Sequence, residues 1–187
     1  MKGIAAGKGI AAGVAREIEN KEHSISEGHV LNVVEEVNRF YDCRLKTVEK
    51  IRAVIARIGY KAAETEILST QEMILNDIEI EESICDIIRK EKRCAEFAVR
   101  EVMSRYAETF LAMEQDEYFR ARFQDCIDIK RMLLQELQGE ETIDFASLGK
   151  DTILISDELL PSQLMSINRN SISGIAISSG GETSHIT

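Results

Sequence analysis

From residue 24 to residue 138 the chain has no proline and only two glycines, Gly28 and Gly59. Nothing in that stretch forces a break, and its apolar residues recur at helical spacing. Val30, Val34, Val37, Tyr41, Leu45, Val48, Ile51, Ile55 and Ile58 follow one another at steps of three and four. This stripe predicts a first long helix, entered at Ser24 or Ser26 and ending near Gly59. The same reasoning predicts further helices over 62–76, 79–89, 92–113 and 116–137, the last stopped by Gly139.

The flanks have a different texture. Residues 1–22 are small and Gly/Ala-rich, and the run Ile10 to Val14 reads as an extended segment. Residues 142–187 return to short apolar strands, Thr152 to Ile155 and Ser173 to Ile177, with a helix from Pro161 to Ile167 between them. Neither flank can bury a core alone, so the two are expected to pair in space. The expected fold is α+β with two lobes: an α/β domain from 1–22 and 142–187, and an all-α helical-hairpin bundle over 23–141 inserted into it.

Charge narrows the partners. The net charge is −10, which is unfavourable for a nucleic-acid binder, because such binding rests on cationic contacts to phosphates. Nine Asp and Glu against Arg89 and Lys90 lie within 62–91. That run reads either as a solvated helix face or, with Met73, Ile74, Ile78 and Ile80 interleaved, as a docking face for a basic protein. No segment approaches the ~20 apolar residues of a membrane span, and the first residues lack a signal-peptide pattern. A cytoplasmic setting without membrane insertion is expected. Cys43, Cys85, Cys94 and Cys126 form no C-x-x-C and read as buried or half-buried thiols.

Two glycine clusters have compositions that could carry chemistry. Gly3, Gly7, Lys8 and Gly9 miss the spacing of a phosphate-binding loop, and Gly7, Gly9 and Gly13 miss the dinucleotide pattern by one residue. The last residues, Gly180-Gly181-Glu182-Thr183-Ser184-His185-Ile186-Thr187, read as a strand, a glycine turn and a helix start. Free N–H groups there attract phosphate, and a neutral imidazole can act as a nucleophile. On the residues alone, His185 is either that nucleophile or an exposed turn histidine. His23 and His29 read as solvated side chains.

Several segments together carry a family resemblance. Gly3-Ile4 with Gly9-Ile10-Ala11-Ala12-Gly13, Gln71 to Asp77, Asp116-Glu117-Tyr118-Phe119, Asp128-Ile129-x-Arg131 and above all Gly180-Gly181-x-Thr183-Ser184-His185 are involved. With them the chain resembles the N-terminal half of the phosphoenolpyruvate-protein phosphotransferases, the Enzyme I family of the bacterial sugar phosphotransferase system. The resemblance implies a swivelling phosphohistidine domain carrying an inserted HPr-binding helical domain. It implies that His185 takes a phosphoryl group from phosphoenolpyruvate and passes it to a histidine of the carrier HPr. Thr183 would stand beside the phosphohistidine, with Gly180, Gly181 and Ser184 giving the phosphate its approach. Gln71, Met73, Ile74, Asp77 and Glu79 would contact HPr.

The family also implies a C-terminal barrel that holds phosphoenolpyruvate and Mg2+ and makes the full-length protein a homodimer. The chain is therefore expected to be an N-terminal portion, holding no metal itself and inactive on phosphoenolpyruvate alone. Three positions depart from the family pattern: Glu182 replaces a basic residue, Ile186 a small one and Ile127 an arginine. These departures leave an alternative, a non-catalytic or regulatory paralogue whose helical lobe binds an HPr-like partner.

Overall fold

A computed structural model describes residues 9–18, 29–58, 62–113, 117–139, 145, 148–167 and 172–178. The chain divides into two compact units, Met1–Glu22 with Ile143–Thr187, and His23–Thr142. Helices dominate, with one small sheet.

The first unit is built on strands β1 (Val14–Ile18), β2 (Thr152–Ser156) and β3 (Gly174–Ile177), in the order β1-β2-β3. Both pairings are parallel; Arg16 stands opposite Leu154, which in turn faces Ile175. Leu154 is fully buried and packs with Ile18, Phe145, Leu148, Leu159 and Ile167. Alternation places Leu154 and Ser156 on this inner face. The Ser156 hydroxyl lies 3.1 Å from the Ile18 carbonyl and 2.8 Å from that of Glu158, which satisfies a buried polar group.

The early strand is shifted from the expected Ile10–Val14 run. Ile10 is exposed, and pairing starts only at Val14, whose N–H donates to the Asp151 carbonyl at 2.6 Å. The cause is Gly13: a Cβ there would lie 2.2 Å from the Asp151 oxygen, so the two chains meet at a glycine. Between β2 and β3 runs a short helix, Pro161–Ser166, with proline in its first turn and the Gln163 side chain accepting from the Leu160 N–H at 3.0 Å.

The second unit holds α1 (Val33–Ile58), α2 (Ala62–Leu75), α3 (Ile78–Glu91), α4 (Ala95–Leu111) and α5 (Glu117–Gln138); the Pro161–Ser166 helix is α6. Phe40, Leu68, Ile84, Ile88, Val99, Val102, Met103, Ile129 and Leu133 fill the space between them. The positions Ser24 and Ser26, expected to cap α1, lie outside the described residues. Asn32 caps it instead, its Oδ1 accepting from the Glu35 N–H at 3.2 Å. The apolar stripe also turns further than expected. Val34 and Leu45 are exposed, while Phe40, Cys43 and Thr47 are buried with Val37, Val48 and Ile51.

Helix α4 begins at Ala95 rather than at residue 92, because Lys92 adopts φ +53° and ends α3. Its carbonyl accepts from the Val30 N–H at 2.8 Å, and His29 bridges to Arg93. Gly139, at φ +65°, follows the last residue of α5. Arg39 of α1 joins three elements. It grips Glu96 of α4 through two bonds of 2.8 and 2.5 Å, Glu36 on its own helix, and the Leu137 carbonyl of α5 at 3.0 Å. Hydrogen bonds donated to Glu96, then to Glu36, hold the guanidinium pKa above its ordinary value.

Candidate functional site

Two segments carry the expected site residues. The glycine turn with Gly180, Gly181, Thr183, Ser184 and His185, and the departures Glu182 and Ile186, lie outside the described residues. The described chain leads up to it as β3 and Ser178, whose hydroxyl donates to Asp157 Oδ1 at 2.9 Å beyond the end of β2.

The second segment is the elbow between α2 and α3. Asp77 forms it by capping α3, with Oδ1 accepting from the N–H groups of Glu79 at 2.8 Å and Ile80 at 3.2 Å. Arg44 of α1 braces it from below. Its Nη1 donates to the Leu75 carbonyl at 3.2 Å and to Asn76 Oδ1 at 3.1 Å, and its Nη2 pairs with Glu81 at 3.1 Å. The Leu75 carbonyl at the end of α2 thus meets a cation, which also suits the helix dipole.

Around this elbow Met73 is 73% exposed and Ile78 is 71% exposed, with Asp77 and Glu79 exposed beside them. Ile74 is half-buried and borders an interior pocket with Phe40, Arg44 and Met103. Burial, and then the negative charges of Glu79 and Asp77, push the pKa of Tyr106 on α4 upwards, so α4 stands close behind this acidic rim.

Four of the five expected contact residues therefore gather at one elbow, three of them exposed. Gln71 does not join them. It is fully buried, and its Nε2 donates to Asp128 Oδ2 at 3.0 Å, so it supports the elbow from inside. Ile78, read in the sequence as part of the interleaved apolar face, stands beside them, and Arg44 is an addition. An apolar residue directly after a capping Asp was a usable sign for Ile78; Arg44 left none. The acidic run is also partly occupied. Glu72 pairs with Arg52 at 2.7 Å, and Asp86 with Lys90 at 2.7 Å.

Among the described residues no group of three or more His, Cys, Asp or Glu is placed to hold a metal ion. No described helix is long and apolar enough to cross a membrane.

These features define a helical unit and a separate unit built on a small parallel sheet, and the comparisons with known proteins assign the chain's class. The model of the N-terminal domain of PEP-utilising enzymes matches residues 2–122, and the chain belongs to that family. Within it, the resemblance is to phosphoenolpyruvate-protein phosphotransferases. Those of Mycoplasma capricolum and Haemophilus influenzae are each 30% identical over 189 residues, covering 99% of this chain. The chain spans about a third of their length, 32% and 33%. Among solved structures, the solution structure of Enzyme I (nEIt) superposes with a TM-score of 0.84 at 27% identity, covering 99% of this chain and 76% of that one. The N-terminal domain of Enzyme 1 – Nitrogen shares the fold, with a TM-score of 0.71 at 20% identity, covering 97% of this chain and 75% of that one.

Proposed function

We propose that the chain is the phosphoryl-relay part of a phosphoenolpyruvate-protein phosphotransferase. In this reading a neutral imidazole nitrogen of His185, Nε2, attacks the phosphorus of phosphoenolpyruvate. The bond from phosphorus to the enol oxygen breaks, enolpyruvate leaves, and a phosphoramidate forms. A histidine of HPr then attacks the same phosphorus, the N–P bond to His185 breaks, and His185 returns to its neutral state. Splitting one transfer into two keeps the transfer potential without hydrolysis. Thr183 and Ser184 offer hydroxyls to the phosphate oxygens, and Gly180 and Gly181 leave room for it to approach.

Phosphoenolpyruvate itself, and a Mg2+ ion that would offset the charge of its phosphate, belong to a C-terminal part of the full-length protein. The described residues include no cluster of ligands for the metal, so no step of this chain is assigned to it. A homodimeric parent working in the cytoplasm, in the first step of sugar uptake, completes the proposal.

The elbow between α2 and α3 is the proposed HPr-docking face. Met73 and Ile78 would supply the apolar centre and Asp77 and Glu79 the acidic rim for a basic carrier. What carries the whole reading is the coincidence of the family match over 2–122 with the Gly180-Gly181-x-Thr183-Ser184-His185 motif.

The reverse transfer tests it without the barrel. The 187-residue chain is incubated with phosphorylated HPr, and acid-labile phosphate is mapped. Label on His185, absent from His185→Ala, is the expected result. No label on a chain that still binds HPr overturns catalysis. That outcome would favour the regulatory paralogue, for which the acid Glu182 within the histidine motif speaks.

A further inference from the structure

The α2–α3 elbow is closed without a glycine. Asn76 and Asp77 make the turn, and the described residues with positive φ, Gly9, Lys92 and Gly139, all lie elsewhere. The turn therefore lacks the left-handed cap that commonly ends a helix. Its two sides are secured differently. Asp77 caps α3 from within the turn, whereas α2 has no basic residue in its last turn to meet its carbonyls. The cation for that end comes from another helix, as Arg44 of α1.

Arg44 is placed to brace the elbow. One planar guanidinium holds the end of α2 through the Leu75 carbonyl at 3.2 Å, the turn through Asn76 Oδ1 at 3.1 Å, and the first turn of α3 through Glu81 at 3.1 Å. The side chain is only 17% exposed, and its Nε is buried without an acceptor beside the pocket bordered by Ile74 and Ile80. Leaving that donor unsatisfied is costly, and the three outward bonds are what the arrangement gains in return. A lysine, with a point charge and no rigid fork, could not hold all three in this geometry.

We propose that Arg44 is a positioning residue for carrier docking: it fixes the bend between α2 and α3, and so the placement of Met73 and Ile78, without touching the carrier. The inference rests on the reading of this elbow as the HPr-docking face. Apolar anchors contribute more affinity when they are held in place before the partner arrives. Charge alone predicts the opposite role. A cation beneath an acidic face weakens its attraction for a basic carrier, so its removal would tighten binding. Bracing predicts that removal weakens binding. The sign of the change separates the two.

The test is a calorimetric titration of HPr into the 187-residue chain, Arg44→Met and Arg44→Lys, each well below its melting temperature. Arg44→Met should weaken binding about fivefold or more, in the range of a residue acting on a site it does not touch. Arg44→Lys should weaken it less, and it supplies the result should the methionine variant fail to fold. Without carrier, amide exchange should accelerate in both variants at Asp77, Glu79 and Ile80, while Val102 and Ile129 keep their protection. A general loss of stability would instead accelerate all five. Unchanged or tighter binding, or uniform acceleration of exchange, overturns the inference and leaves the docking face standing. Failure of the unaltered chain to bind HPr overturns the docking reading and this inference with it.

Discussion

Gln71 of α2 and Asp128 of α5 are both fully buried and joined by a hydrogen bond of 3.0 Å from Nε2 to Oδ2. The pair lies one half-turn before Met73 and ties the exposed end of α2 to α5. Gln71 Oε1 finds no donor, so the pair is already incompletely satisfied. Asp128→Ala strands the Gln71 amide in the interior and should cost about 2–3 kcal/mol. Gln71→Leu, which removes the amide as well as its unsatisfied oxygen, leaves Asp128 short of one donor and should cost less. Urea unfolding of the two variants checks the order.

Acid should loosen the bundle at Glu96. Burial acts to raise its pKa, but the bonds and charge of Arg39 more than reverse this and hold it below the ordinary value of 4.5. A carboxyl lowered on folding contributes stability above its unfolded pKa and loses it as pH falls through the folded value. Stability should therefore decline below about pH 4.5. Glu96→Gln should be less stable at neutral pH and show a shallower decline in acid, measured as urea midpoints across pH.

Gly13→Ala should disturb the sheet unit alone. The added methyl would sit 2.2 Å from a backbone oxygen, that of Asp151, which has no rotamer by which to withdraw. A loss of about 1–3 kcal/mol is expected, typical of overpacking. Amide exchange should accelerate in β1 and β2 while α4 and α5 keep their protection.

If the elbow docks HPr, Met73→Ala and Ile78→Ala should each weaken carrier binding about tenfold, the effect of an anchor residue truncated at an interface. Both side chains are mostly exposed, so the thermal midpoint should barely move. Calorimetric titration with HPr and a melting curve on the same samples separate binding from folding.

The thiols give a probe of the interior. Burial, with Glu136 adding to it, pushes Cys43 up to about 12, and burial with Asp125 does the same for Cys126. Since the thiolate is the reactive form, both should resist alkylation in the native chain at pH 8. Cys94, only half-buried, should react first. Mass spectrometry of partially labelled chains gives the order, and urea should abolish it.

Much of the helical unit was legible because helices are written locally. The absence of proline, the three-and-four spacing and Gly139 located α2 to α5 to within three residues and the end of α1, whose start lies several residues later than expected, and Pro161 marked α6. The Asn32-x-x-Glu35 start of α1 is also present in the sequence, where Ser24 and Ser26 upstream compete with it as capping residues. For the strands, the apolar runs located β2 and β3 closely and β1 only roughly, since Gly13 looked like part of a strand and is the point of approach before one.

What the sequence determined by itself was therefore the inventory of elements, the acidic character of the α2–α3 segment and the histidine motif that suggests a phosphoryl relay. The tertiary structure decided which side of each element faces inward. It turned α1 so that Thr47 is buried and Leu45 exposed, took Gln71 from the surface to the side of Asp128, and set Arg44 beneath the elbow. It also brought Arg39 to Glu96 and Leu137, and Lys130 to Ser104. The physical reason is range. Helical periodicity and caps involve residues within one or two turns, whereas these choices depend on partners far apart in the chain, whose meeting is fixed only when the helices pack.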